Sequence, residues 1–273
     1  MKKKVLGLLI AIMMAIPAYA SITVTPTRIE LNANKVKSNY ATTAIEVRGV
    51  PDRAIRYRAY TDYFEIDENA KMKNPDGKNN PHNIASKLRF VPSEFTVPAG
   101  RSQKVRVNVA NIKALPDGES RAVIYLEDVD PKEMNVPNEM GISAKLIIKT
   151  RVAVPVYVDK GNFTKKGDIE TFEVVKQKDG LYTKINVVST GNSRIRYEGK
   201  IQVIDGKKLI DEYSILGSVV GDNNHLTTLH KIDTDKITKA GEYTLRLILS
   251  YTDEKDVKKI IKKDTILKIT GDV

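Results

Sequence analysis

The chain of 273 residues has no cysteine, no tryptophan, three histidines and only 6% aromatic residues. Each scarcity excludes something. Without cysteine there is no disulfide staple, no thiol nucleophile and no cysteine zinc site, so stability rests on packing alone. His82, His225 and His230 stand far apart, with no ligand or nucleophile at useful spacing. No GxGxxG, Walker loop or HExxH occurs, and the loop around Asp76-Gly77 offers one acid where a calcium loop needs several. The sequence therefore predicts no enzyme, no cofactor and no metal site. Beyond its first residues it also lacks any apolar run long enough for a membrane-spanning helix.

What is there begins with an export pattern. Lys2, Lys3 and Lys4 precede an apolar run from Val5 to Pro17, and Ala18-Tyr19-Ala20 has the small-residue form of a cleavage site. This predicts a signal peptide over residues 1–20, cleaved after Ala20, and a mature chain working in the periplasm. The formal net charge is +11, three of it from those lysines. Exported proteins rarely meet nucleic acid, so none is expected as a partner. A solvated, lysine-rich surface is the plain reading of the charge, with an acidic partner or an anionic envelope surface as the alternative.

The most informative stretch is Ile142 to Val158, ISAKLIIKTRVAVPVYV. Eight of its nine even positions are apolar, and Thr150 is the exception. A period of two marks a strand with one buried face. At about 3.3 Å per residue it would span roughly 55 Å, more than an ordinary domain can cover. Some of the stripe must pair with a second sheet, bend between domains or wait for another chain. Pro155 has no N–H for a ladder, which places the strand at an edge or near its end. An apolar edge left unblunted suggests that the edge is used.

The rest of the chain is short alternating runs between turn signals, with no helical period. Val105 to Val109 and Gly241 to Tyr251 alternate clearly, and Arg121 to Leu126 reads as another strand. Residues 69–83 and 128–141 read as loops, 159–162 as a linker, and Lys178-Asp179-Gly180 and Asp205-Gly206 as hairpin turns. This predicts an all-β protein of two sandwich domains, residues 21–158 with the long last strand and residues 162–273.

With those elements placed, the chain resembles the PapD-like periplasmic chaperones of the chaperone–usher pilus pathway, closer to their archaic branch. The likeness is carried by TPTRIELN at 25–32, VPSEFTVPAGRSQKVRVNV at 91–109, LPDGESRAVIYLEDVDP at 115–131 and RVAVPVYV at 151–158, and more weakly by 189–206 and 240–251. The resemblance implies two immunoglobulin-like domains in a boomerang, with the last strand of the first lent to a pilus subunit that lacks its own. Ile142, Ala144, Leu146 and Ile148 are then the donor residues. Two basic residues in the cleft would grip the subunit's terminal carboxylate: Arg28, and Arg151 or its neighbour Lys149. Glu119 matches the acid of the family's internal acid–arginine network, but Pro155 and Val158 stand where an arginine would be expected. The partners implied are a pilus or fimbrial subunit and an outer-membrane usher, with self-association through the exposed edge as a further alternative. The competing reading is an immunoglobulin-like envelope or adhesion module without a pilin client.

Overall fold

Alternation, not propensity, decides where this chain makes strands, and almost every element is one. The computed structural model describes residues 22–130, 132–137, 143–233, 236–237 and 239–270. The expected leader and Ile142 lie outside the described residues.

The first sandwich has a four-stranded sheet in the order β1 (Thr23–Thr25), β3 (Tyr40–Arg48), β9 (Ser102–Ala110), β7 (Leu88–Val91). Against it lies a five-stranded sheet in the order β2 (Ile29–Asn32), β13 (Arg151–Lys160), β10 (Gly118–Asp128), β4 (Ile55–Asp62), β8 (Glu94–Val97). The chain changes sheets around Pro26, so β1 and β2 lie one in each layer. Two small ribbons, β5 (Glu65–Ile66) with β6 (Met72–Lys73) and β11 (Lys132–Pro137) with β12 (Ser143–Ile148), stand apart from these sheets. The core is built from alternate positions: Ile45 and Val47, Val105, Val107 and Val109, Ile124 and Leu126, Val154, Val156 and Val158.

Strand β10 is buried on both faces, which explains its unbroken AVIYL. Ala122, Ile124 and Leu126 face the core, whereas Val123 and Tyr125 join Phe64 and Tyr157 in a second cluster on the outer side. A strand covered twice loses its period of two.

The second sandwich pairs β14 (Gly167–Gln177), β15 (Gly180–Ser189) and β18 (His225–Lys231) in one sheet. The other runs β17 (Lys208–Val220), β16 (Ile195–Asp205), β19 (Gly241–Thr252), β20 (Lys258–Ile269). Ile185, Ile195, Ile201, Leu226, Leu245 and Leu247 centre its separate core. Both hairpin signals fall at turns, between Gln177 and Gly180 and between Asp205 and Lys208.

Candidate functional site

The stretch expected as one strand is two. Strand β13 pairs with β10 from Lys160 opposite Gly118 down to Arg151 opposite Glu127. The ladder then resumes as β12 on β11, from Ile148 opposite Lys132 to Ser143 opposite Pro137. Between the two ladders the first side of the hairpin carries more residues than the second, which has only 149 and 150, a mismatch of the bulge kind. Asp128 still belongs to the sheet, opposite Tyr57 of β4, and Val129 N donates to Arg56 O. Asp128 is buried, its carboxylate accepts from Asp130 N at 2.9 Å and pairs with Arg53 at 3.6 Å, and its own N–H donates to Thr150 O. Beyond it the ladder resumes in a ribbon separate from both layers.

Register assigns the ribbon's faces. Ala144 lies opposite Val136, Leu146 opposite Met134 and Ile148 opposite Lys132, so these positions share one face. Ile147 lies opposite Glu133 on the other and is exposed. Among the described residues, β11 and β12 pair only with each other. The outer edge of β12 keeps its backbone donors and acceptors open. The segment expected as a short acidic loop before the lending strand thus holds the partner strand β11.

Pro155 lies inside β13, which runs on to Lys160. Strand β2 joins β13 in parallel only from Ile29 opposite Val156, so the edge is open upstream of Val156 and closed after it. The missing N–H falls where no second neighbour has begun.

The expected carboxylate-binding residues each have a partner. Arg28 Nε meets Glu30 Oε1 at 3.0 Å. Lys149 Nζ meets Glu127 Oε1 at 2.9 Å. The Arg151 guanidinium lies 4.0 Å over the Tyr125 ring and donates to Tyr60 Oη at 3.1 Å, while Tyr60 donates to Glu127. Arg151 and Lys149 therefore sit together at the base of the ribbon. Arg28 stands just before Ile29, whose partner Val156 lies five residues beyond Arg151 along β13. The structure places all three on the outer side of the five-stranded sheet and does not close Arg28 and Arg151 into a single grip.

A cluster that the sequence only half disclosed joins the two sandwiches. Glu119, at the start of β10, is buried, and so is Asp159 beside it near the end of β13. The arginine that meets them comes from the other sandwich. Arg194 N and Nη1 donate to Glu119 Oε2 at 3.1 and 2.6 Å, and Nη1 lies 3.6 Å from Asp159 Oδ1. Ser193 Oγ donates to Asp159 at 2.7 Å, and Lys165 Nζ pairs with it at 3.0 Å. The Arg194 guanidinium stacks 3.8 Å over Tyr157 and pairs with Glu30 at 3.0 Å. Burial alone would make that guanidinium easier to deprotonate, but Glu119, Asp159 and Glu30 outweigh it and keep the charge in place. Gly118 makes the approach feasible: its φ is +101°, and a Cβ there would lie 2.9 Å from Asn192 O. A legible signal existed. Arg194 and Arg196 alternate with core residues Ile195 and Tyr197, so two cations share the face turned from the core.

A second tie runs through Arg121, which pairs with Asp222, while Asn224 Nδ2 donates to Ile66 O and Thr227 N to Glu68 O, both at 2.9 Å. Among the described residues no group of three or more His, Cys, Asp or Glu side chains could hold a metal ion.

Partial burial would raise the Glu30 carboxyl, but Arg194 first, then Arg196 and Arg28, hold it down to about 2 from an ordinary 4.5. A depressed folded-state pKa means that the stabilisation is complete above the unfolded value and is lost as pH falls through the folded one. Glu30's share is thus full above about pH 4.5 and gone near pH 2. Its side chain is 39% exposed, so solvent screens the effect. Glu30→Gln is expected to flatten that stretch of the acid limb in urea midpoints recorded against pH. A limb as steep as the parent's would contradict the pairing.

No family model and no curated protein matches the sequence. Solved structures are similar in fold. The YadV chaperone is 10% identical, with 91% of this chain and 100% of that chain covered and a TM-score of 0.46. The Pseudomonas aeruginosa CupB2 chaperone is 11% identical, covering 90% and 100%, with a TM-score of 0.44. The class 5 fimbriae chaperone CfaA is 12% identical, covering 92% and 99%, with a TM-score of 0.43. At identities and TM-scores this low the likeness carries nothing about client or mechanism. In structure as in sequence motifs, the chain resembles the chaperone–usher fimbrial chaperones.

Proposed function

We propose that this protein is a periplasmic assembly chaperone that holds a pilus or fimbrial subunit by lending it strand β12, and that it works by binding rather than by catalysis. The supporting observation is the ribbon: a strand with apolar alternate positions, paired on one side only and standing outside both sandwich layers. An extended edge of this kind suits β-augmentation, in which main-chain bonds hold the partner and alternate side chains fill its groove. Burying each large aliphatic of Leu146 and Ile148 in that groove contributes about 1.5–3 kcal/mol. Ile142 and Ala144 would extend the same face. The client class follows from the sequence resemblance, as does delivery to an outer-membrane usher. The reading includes export through a leader over 1–20 and a division into a donor domain, 21–158, and a second domain, 162–273.

Arg28, with Arg151 or Lys149, is proposed to receive the client's terminal carboxylate. Arg28 is 42% exposed, so removing it changes fold stability little, by about 1 kcal/mol or less. Arg28→Ala is expected to fold normally and to lower subunit capture at least tenfold, roughly one charge-assisted hydrogen bond. The measurement is affinity purification from the cell envelope with mass spectrometry of what accompanies the bait. A folded Arg28→Ala variant that brings down the same subunit in the same amount would end the assignment. A parent protein that brings down none would end the chaperone reading.

A further inference from the structure

Three guanidinium groups converge on one oxygen of Glu30. Arg28 Nε lies 3.0 Å from Oε1, Arg194 Nη2 3.0 Å and Arg196 Nη2 3.4 Å. The cations outnumber the carboxylate they share. Arg196 Nε is shielded from solvent and has no hydrogen-bond partner. Beside it opens a cavity of about 210 Å³, lined by Glu30, Lys165, Arg194, Arg196 and Thr252. Three cationic side chains and a single acid make its walls.

We propose that Arg28, Arg194 and Arg196 form a carboxylate-binding site whose resident ligand is the chain's own Glu30, so that an incoming carboxylate must compete with that side chain. The proposal rests on the reading of Arg28 as a client-carboxylate residue and adds a device that regulates it. The site has a fixed half and a movable half. Arg194, 5% exposed, is held by Glu119 and Asp159 whatever Glu30 does. Glu30, Arg28 and Arg196 are 39%, 42% and 37% exposed, so their contacts exchange at the surface at little cost. A guanidinium fork accepts a second carboxylate of the same geometry once the first swings away. A free carboxylate in dilute solution competes poorly with a tethered one, whose effective concentration is high. A carboxylate delivered together with strand pairing is itself effectively tethered, and wins. Glu30 thus filters stray anions and reserves Arg28 for a client already docked on the ribbon.

The test uses acetate as the probe and the arginine Nε–H resonances of the full mature chain as the readout. Glu30→Gln is expected to lower the acetate concentration for half-saturation of the Arg28 and Arg196 signals about tenfold, the worth of one charge-assisted bond. Glu30→Asp, which keeps the charge and shortens the reach, should fall between. Glu212→Gln removes the same charge from a pair with Lys200 outside the cluster and should leave the titration unchanged. A parent-like circular dichroism spectrum and a cooperative urea transition certify that the variants are folded. Equal acetate affinity in parent and Glu30→Gln, or an equal gain in Glu212→Gln, would overturn the proposal. The two readings separate cleanly. If acetate behaves as stated but no subunit accompanies the parent protein, the client assignment fails and the site stands. If subunits accompany it and Glu30→Gln changes nothing, the resident-ligand idea fails alone.

Discussion

Arg194→Met is expected to weaken the junction between the sandwiches by about 3–5 kcal/mol, the usual penalty for leaving one partner of a buried ion pair unmatched. Glu119 is 1% exposed and takes two hydrogen bonds from Arg194, through N and Nη1. Methionine keeps most of the packing on Tyr157 but offers no donor, so the Glu119 carboxylate keeps the backbone N–H and the looser contact of its other oxygen with Arg121 Nε at 3.4 Å, and loses its closest cation. The cluster belongs to neither core, and with two cores a single unfolding free energy is poorly defined. Amide exchange is therefore the better readout. The Glu119 N–H, bonded to Asn192 O at 3.0 Å, should exchange roughly a hundredfold faster, while amides deep in both cores, such as those of Ile124 and Ile201, change far less. Arg194→Lys keeps the charge and loses the fork and the stacking, and should lie between. Pairing Arg194→Met with Glu119→Gln removes the stranded charge and should recover a large part of the loss. A single variant that exchanges like the parent would show that the cluster holds nothing together.

Arg194 also marks the limit of what the sequence alone discloses. Alternation in VRVNV, in RVAVPVYV and in TLRLILSY names strands because one face of each is buried, and all three are strands here. Glu119 is picked out as the acid of a network by the family resemblance, not by any local pattern. Its partner lies 75 residues away, on the far side of a turn. Local pattern carries no information about which turn meets which strand. The break at 149–150 was hidden for a different reason. The period of two runs through it unbroken, and the interruption comes from the extra residues on the facing side, between Glu127 and Lys132. Strand β18 was missed because HLTTLHK mixes polar residues into both faces; only Leu226 is fully buried. The ribbon strand β11 was missed because Pro137 and the acids around it read as loop.

Ile148→Lys carries the largest expected effect on binding: loss of subunit capture by a hundredfold or more, with no change in fold. The fold should survive because, among the described residues, β12 pairs only with β11 and lies outside both sandwich sheets. Capture should not, for two additive reasons. The partner's groove loses an aliphatic whose burial contributes about 1.5–3 kcal/mol, and it must admit an ammonium with no counter-charge, which costs at least as much again. Ile147→Lys is the matched control. It makes the same change one residue away, at a side chain 56% exposed and on the opposite face of the ribbon. It should leave capture within a few-fold of the parent. Both variants would be compared by envelope affinity purification, with circular dichroism and urea midpoints to certify the fold. If Ile147→Lys is the sensitive one, the lent strand is shifted by one residue and its other face enters the groove. If both capture subunit as well as the parent does, β12 is not the lent strand.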